Sequence, residues 1–141
     1  MPTRTAKAAW MDTLKKGKGA MELGSGGFKG AYSFGTRFEE EKGTNPEELI
    51  GAAYAGCFSM ALSLEIENAG YTPVSIATQA KVHLSAKDGE ISQIDLITEA
   101  QVEGIDEETF KKVAEGAKGG CPIGKALAAV KNITLDARLQ K

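Results

Sequence analysis

Apolar and polar positions alternate loosely from residue 3 to residue 40, a stretch rich in Thr, Lys and Gly and cut by Lys16-Gly17-Lys18-Gly19 and Ser25-Gly26-Gly27. Alternation of this kind predicts short antiparallel strands joined as hairpins, with Trp10 as an inward anchor. At Thr44-Asn45-Pro46-Glu47-Glu48 the pattern changes to a helix start. Asn45 can cap with Pro46 at the first helical position and Glu48 three residues on, and Thr44 with Glu47 offers the same box one residue earlier. The helix is expected to run to about Ala69, because Gly70 suits a left-handed position after its end and Pro73 prevents its resumption. From Leu49 to Leu64 every residue is apolar, Gly, Ser or Tyr, with Glu47, Glu48, Glu65 and Glu67 at the two ends. A helix apolar all round is a buried one. The apolar run falls short of the ~20 residues that cross a bilayer, so it predicts a long central core helix and no membrane span. Gly51, Ala52, Ala53, Ala55 and Gly56 leave its surface thin enough for a second helix to approach closely.

Period-two patterns follow. Ile76, Ala80, Val82 and Leu84 mark one strand over 75–84, Ile94, Leu96, Ala100 and Val102 another over 94–102, and Asp88-Gly89 supplies a hairpin turn between them. Asp106-Glu107-Glu108 starts a second amphipathic helix carrying Phe110, Val113, Ala114 and Ala117, which ends at Gly119-Gly120. Cys121-Pro122 opens a short helix to about Val130, and Ile133, Leu135, Ala137 and Leu139 form a closing strand. Strands and helices segregated in this way predict an α+β fold with a mainly antiparallel sheet. At 141 residues and 14.8 kDa the chain is expected to form a single domain, 1–141.

Charge and rare residues narrow the chemistry. Seventeen basic and nineteen acidic residues give a net charge of -2 with no like-charged block, which argues against nucleic acid as a partner. Two cysteines and one histidine make a poor metal-ligand set, so no metal is expected. The N-terminal Met-Pro-Thr-Arg-Thr-Ala-Lys lacks the apolar stretch of a secretory signal, so a cytoplasmic protein is expected. In a reducing compartment two cysteines serve as small hydrophobes or as redox-active thiols more often than as a permanent crosslink.

Both readings stand for each cysteine. Cys57, mid-helix, is a core residue or a nucleophile, and apolar surroundings would disfavour its thiolate unless a cation comes from outside the helix. Cys121 either marks a plain break between two helices or caps the second one, where free amides favour a thiolate. Together they suit one mechanism: a thiol oxidised by peroxide to a sulfenic acid needs a second thiol to condense with before overoxidation traps it. Arg37, flanked by Phe34 and Phe38, is the candidate cation, and its alternative is a surface strand arginine. Glu47 and Glu48 are candidate anions to hold it, or ordinary capping carboxylates. Glu47 and Cys57 lie about 15 Å apart along a straight helix and roughly 80° apart around it. A carboxylate acting near Cys57 therefore requires a bent helix or a second copy of the chain. His83 points away from Val82 and Leu84 and is expected to be a partly exposed sheet residue.

The run from Arg37 through Asn45-Pro46-Glu47-Glu48-Leu49 to Cys57-Phe58-Ser59-Met60-Ala61-Leu62, with Gly119-Gly120-Cys121-Pro122 downstream, resembles the OsmC/Ohr family of thiol peroxidases, and its osmotically inducible branch in particular. The position of the arginine assigns the branch. The resemblance extends from Ala8 to the C-terminus and implies an intertwined α+β homodimer that reduces organic hydroperoxides, and hydrogen peroxide less well, in defence against oxidative and osmotic stress. It further implies that Cys57 is the peroxidatic and Cys121 the resolving cysteine, that Arg37 stabilises the thiolate, and that Glu47 holds the arginine. No cofactor is expected, and the reductant is expected to be a small or lipoyl-type dithiol. Gly56 departs from the family pattern, standing where most relatives have alanine. The rival expectations are a redox-sensing or small-ligand-binding dimer without turnover, and a structural dimer with inert cysteines.

Overall fold

The computed structural model describes residues 1–140 and divides into two compact units, Met1–Leu49 and Ile50–Lys141, with the boundary inside a helix. In the first unit β1 (Ala6–Met11), β2 (Lys18–Leu23) and β3 (Lys29–Tyr32) form an antiparallel sheet in that order. Gly19, facing Trp10 and Tyr32 across its two neighbours, makes room for their rings, whose centroids lie 5.2 Å apart. The expected hairpins are there, but the alternation ends earlier than residue 40. Phe34–Phe38 forms a short helix, α1, started by a reciprocal capping box between Ser33 and Thr36.

The long helix α2 (Pro46–Asn68) begins and ends where its caps require. Asn45 Oδ1 accepts the Glu48 N–H at 2.8 Å, and Gly70 takes φ of +94° just beyond the last turn. Its 23 residues are long and apolar enough to cross a membrane by length and composition alone. The expectation that it is buried all round is not met within one chain. Tyr54, Phe58, Leu62 and Ile66, four residues apart, line a buried stripe, while Ala52, Gly56, Met60 and Leu64 form an exposed one.

In the second unit β4 (Pro73–Ser85) and β5 (Glu90–Val102) form an antiparallel hairpin, and β6 (Asn132–Gln140) pairs with β5 in parallel. The closing strand thus makes the second sheet mixed rather than purely antiparallel. A parallel partner requires a crossover, and α3 (Glu107–Gly120) and α4 (Pro122–Ala126) supply it. Ile94, Leu96, Ala100 and Val102 on one face of β5 join the α2 stripe and Phe110, Ala114 and Ala117 of α3 in a single core. The opposite face is polar: Asp95 accepts from Gln93 and Thr134 at 2.7 Å and lies 2.7 Å from His83 Nε2. His83 is accordingly a half-exposed sheet residue.

Candidate active site

The two chemically reactive groups of the chain are built separately. In the first unit α1 carries Arg37 in its last turn, and Asn45 Nδ2 donates to the Thr36 carbonyl at 3.0 Å, which holds α1 to the start of α2. Arg37 donates from Nε to Glu47 Oε1 at 2.9 Å and from Nη2 to Glu47 Oε2 at 3.1 Å. This two-pronged geometry matches the planar guanidinium to the planar carboxylate. The carboxylate is the buried member and the arginine side chain is 37% exposed, so the pair leaves guanidinium surface free for another anion. Arg37 also lies over the Phe38 ring, 5.3 Å from its centroid. It lines a groove of about 200 Å³ whose walls include Trp10, Tyr32, Phe34 and Phe38.

In the second unit the fold makes the free thiols of Cys57 and Cys121 neighbours, close enough for each to bear on the other's ionisation. Cys57 projects from the middle of α2 and is half-buried; Cys121 has no exposed surface. Cys121 occupies a double cap, its N–H donating to the Ala117 carbonyl at 3.1 Å and its Sγ accepting from the Gly124 N–H at 3.5 Å. The capping position is the expected one, but its electrostatic consequence is not. Burial and the neighbouring Cys57 push the Cys121 thiol up, outweighing the amides of Gly124 and Ile123. Cys121 is therefore the more deeply buried of the two thiols and is held in its protonated form, and Cys57 is the one with surface left exposed.

Two features here were not singled out from sequence. Tyr54, one turn before Cys57 and 1% exposed, packs beside both thiols, and burial followed by Cys121 and Cys57 raises its phenol above the ordinary range. The helical spacing from Cys57 could have flagged it, yet an aromatic at that spacing reads equally well as core. Ser59 begins a chain of hydroxyls: its Oγ donates to Thr78 Oγ1 at 2.7 Å, which lies 2.9 Å from Thr98 Oγ1. That chain ties α2 to the sheet two residues beyond the reactive sulfur. Among the described residues no three or more His, Cys, Asp or Glu side chains are grouped to hold a metal.

Residues 39–136 match the family described as OsmC-like protein. The chain belongs to the OsmC-like family. Glu47, Cys57 and Cys121 fall inside the matched residues, and Arg37 lies just before them. This OsmC-like chain is 49% identical over 140 residues to the peroxiredoxin OsmC of Escherichia coli (strain K12), covering 97% of this chain and 96% of that one. It is 31% identical over 99 residues to the organic hydroperoxide resistance protein OhrA of Bacillus subtilis (strain 168), 68% of each. The solved structure of an organic hydroperoxide resistance protein from Elizabethkingia anophelis matches with a TM-score of 0.68, covering 99% of this chain and 98% of that one. At 23% identity that likeness bears on the OsmC-like fold alone.

Proposed function

We propose that the chain is a peroxiredoxin-type oxidoreductase that reduces organic hydroperoxides, and hydrogen peroxide less well, with Cys57 as the peroxidatic and Cys121 as the resolving thiol. The observation that carries this reading is the pairing of two free thiols as neighbours, one partly exposed and one fully buried. The Cys57 thiolate attacks one oxygen of the O–O bond; sulfur gains that oxygen, the O–O bond breaks, and the other oxygen leaves as an alcohol after taking a proton. The Cys121 thiolate then attacks the Cys57 sulfenic acid, forming an S–S bond as the S–O bond breaks and water departs. An external dithiol, small or lipoyl-type, returns both sulfurs to thiols by disulfide exchange.

Arg37, held by Glu47, is assigned to stabilise the Cys57 thiolate. A guanidinium with a buried carboxylate behind it and free surface in front is suited to that work. The groove that Arg37 shares with the rings of Trp10, Tyr32, Phe34 and Phe38 is suited to alkyl and aryl hydroperoxides over hydrogen peroxide. The name of the Bacillus subtilis relative agrees with this substrate class, and that of the Escherichia coli relative with a peroxiredoxin. The working unit is proposed to be a homodimer.

The test is to add one equivalent of an organic hydroperoxide, map the thiols by mass spectrometry, and follow consumption with excess dithiol. A rapid Cys57–Cys121 disulfide with sustained consumption is the expected result. A stoichiometric disulfide without turnover makes the protein a sensor, and unreactive thiols overturn both readings. Cys57→Ser is expected to abolish consumption, whereas Cys121→Ser permits one oxidation of Cys57 and then accumulates its sulfinic acid.

A further inference from the structure

Tyr54 and Gly124 meet beneath the two thiols. A Cβ built on Gly124 would lie 3.0 Å from Tyr54 Oη and 3.3 Å from Tyr54 Cε1, so the phenol occupies the space that any side chain at 124 would need. The Lys118 carbonyl, 3.2 Å away, closes the other side. Gly124 is also the residue whose N–H holds the Cys121 sulfur, at 3.5 Å. Tyr54 in turn is anchored one helical turn before Cys57 with 1% of its surface exposed. Three consecutive contacts therefore join the two reactive sulfurs through packing rather than chemistry: Cys57 to Tyr54 along α2, Tyr54 to Gly124 across the core, and Gly124 to Cys121 around the first turn of α4.

We propose that Tyr54 is a positioning residue for resolution, its phenol seated against Gly124 so that the Cys121 sulfur is kept at the Cys57 sulfur and the sulfenic acid is captured before a second peroxide arrives. The proposal rests on the functional reading above and adds to it the element that decides between disulfide and overoxidation. In the step concerned, Cys121 loses its proton to water and its sulfur attacks the Cys57 sulfur. The S–S bond forms, and the S–O electrons leave with hydroxide, which is protonated to water. The competing step is attack of the Cys57 sulfenate on a second hydroperoxide, which gives the sulfinic acid and a second alcohol. Which step wins depends on how well Cys121 is placed, because displacement of a reacting group by an ångström can cost about a hundredfold in rate. A Cβ at 124 requires the turn or the phenol to give by a few tenths of an ångström, so a loss of about tenfold in the resolution rate is the expected scale.

The test uses the full-length protein and compares wild type, Gly124→Ala, Tyr54→Phe and Tyr54→Phe/Gly124→Ala by quenched-flow mass spectrometry of the sulfenic, disulfide and sulfinic forms over a titration of an organic hydroperoxide. Gly124→Ala is expected to lower the ratio of disulfide to sulfinic acid about tenfold. Tyr54→Phe, which keeps the ring but removes the atom nearest to Gly124, is expected to lower that ratio by a smaller factor. In the double variant the new methyl group takes the space of the lost hydroxyl, and the ratio is expected to recover toward wild type. That recovery is the signature of a packing contact between these two positions, and general destabilisation would instead make the two changes additive. Ratios unchanged in both single variants, or an additive loss in the double variant, overturn the positioning role. If Gly124→Ala does not fold, Tyr54→Phe alone decides, an unchanged ratio counting against the proposal. Failure of wild type to form any Cys57–Cys121 disulfide would sink the peroxidase reading itself, an outcome distinct from all of these.

Discussion

Arg37 and Glu47 show how much of a residue's chemistry lies in geometry rather than charge. The two hydrogen bonds of 2.9 and 3.1 Å use Nε and one terminal nitrogen of the guanidinium, a fork that lysine cannot reproduce. Under the proposed mechanism Arg37→Ala is expected to slow oxidation of Cys57 by about a hundredfold, the scale on which loss of one preorganised charge acts. Arg37→Lys is expected to restore only part of that loss. Glu47→Gln keeps the shape but not the charge and is expected to fall between wild type and Arg37→Ala. The measurement is the second-order rate of Cys57 oxidation in a Cys121→Ser background, and equal rates for wild type and Arg37→Ala would remove the arginine from the mechanism. Gly56 is a simpler case. A Cβ there would meet nothing within 4 Å in its own chain, and the position is helical, so Gly56→Ala is expected to stabilise the monomeric fold by about 0.5 to 1 kcal/mol in chemical denaturation at low protein concentration.

At the scale of elements, the polar face of the second sheet carries its own pH signature. Hydrogen bonds from Thr134, then His83 and Gln93, lower the Asp95 pKa to about 2 from its usual 3.8. Because the folded value is depressed, the contribution to stability is fully present above about pH 4 and lost as pH falls through about 2. Asp95→Asn is therefore expected to unfold more readily than wild type above pH 4, with the two converging toward pH 2 in acid unfolding followed by circular dichroism. Element boundaries such as those of α2 were legible because Asn45, Pro46 and Gly70 state them in local chemistry. The direction of β6 was not, since period-two alternation is the same whichever way a strand runs and only its pairing with β5 decides. α1 escaped notice because five residues are too few for helical periodicity to emerge. The cysteines and Arg37 were legible as chemistry, with the family resemblance assigning their roles. The contact of Tyr54 with Gly124 was not, because it joins residues 70 positions apart whose side chains give no chemical sign of meeting.

For the whole molecule, the exposed stripe of α2 is the decisive feature. Met60 and Leu64 are 76% and 55% exposed on a helix that has mean hydropathy of 1.5 over its most apolar window and only 28% of that window buried. Apolar surface of this kind, continued by Ala52 and Gly56, is costly to leave in water and thin enough for another backbone to approach closely. A second copy of the chain presents the same stripe, which is what a two-fold interface requires. If two copies pack there, Met60→Lys places a charge in the contact with no partner to neutralise it. The variant is expected to shift association toward monomer in light scattering and sedimentation. The wild-type Tm is expected to rise with protein concentration, and that dependence is expected to weaken in the variant, because association stabilises only the folded state. Leu64→Lys, on the same stripe, is expected to act in the same direction. A solvent-facing change of the same sign and size elsewhere, such as Glu115→Gln on α3, is expected to leave association unchanged and controls for net charge. A wild-type chain that sediments as a monomer at every concentration, with a Tm independent of concentration, would show that the stripe is not an interface between copies.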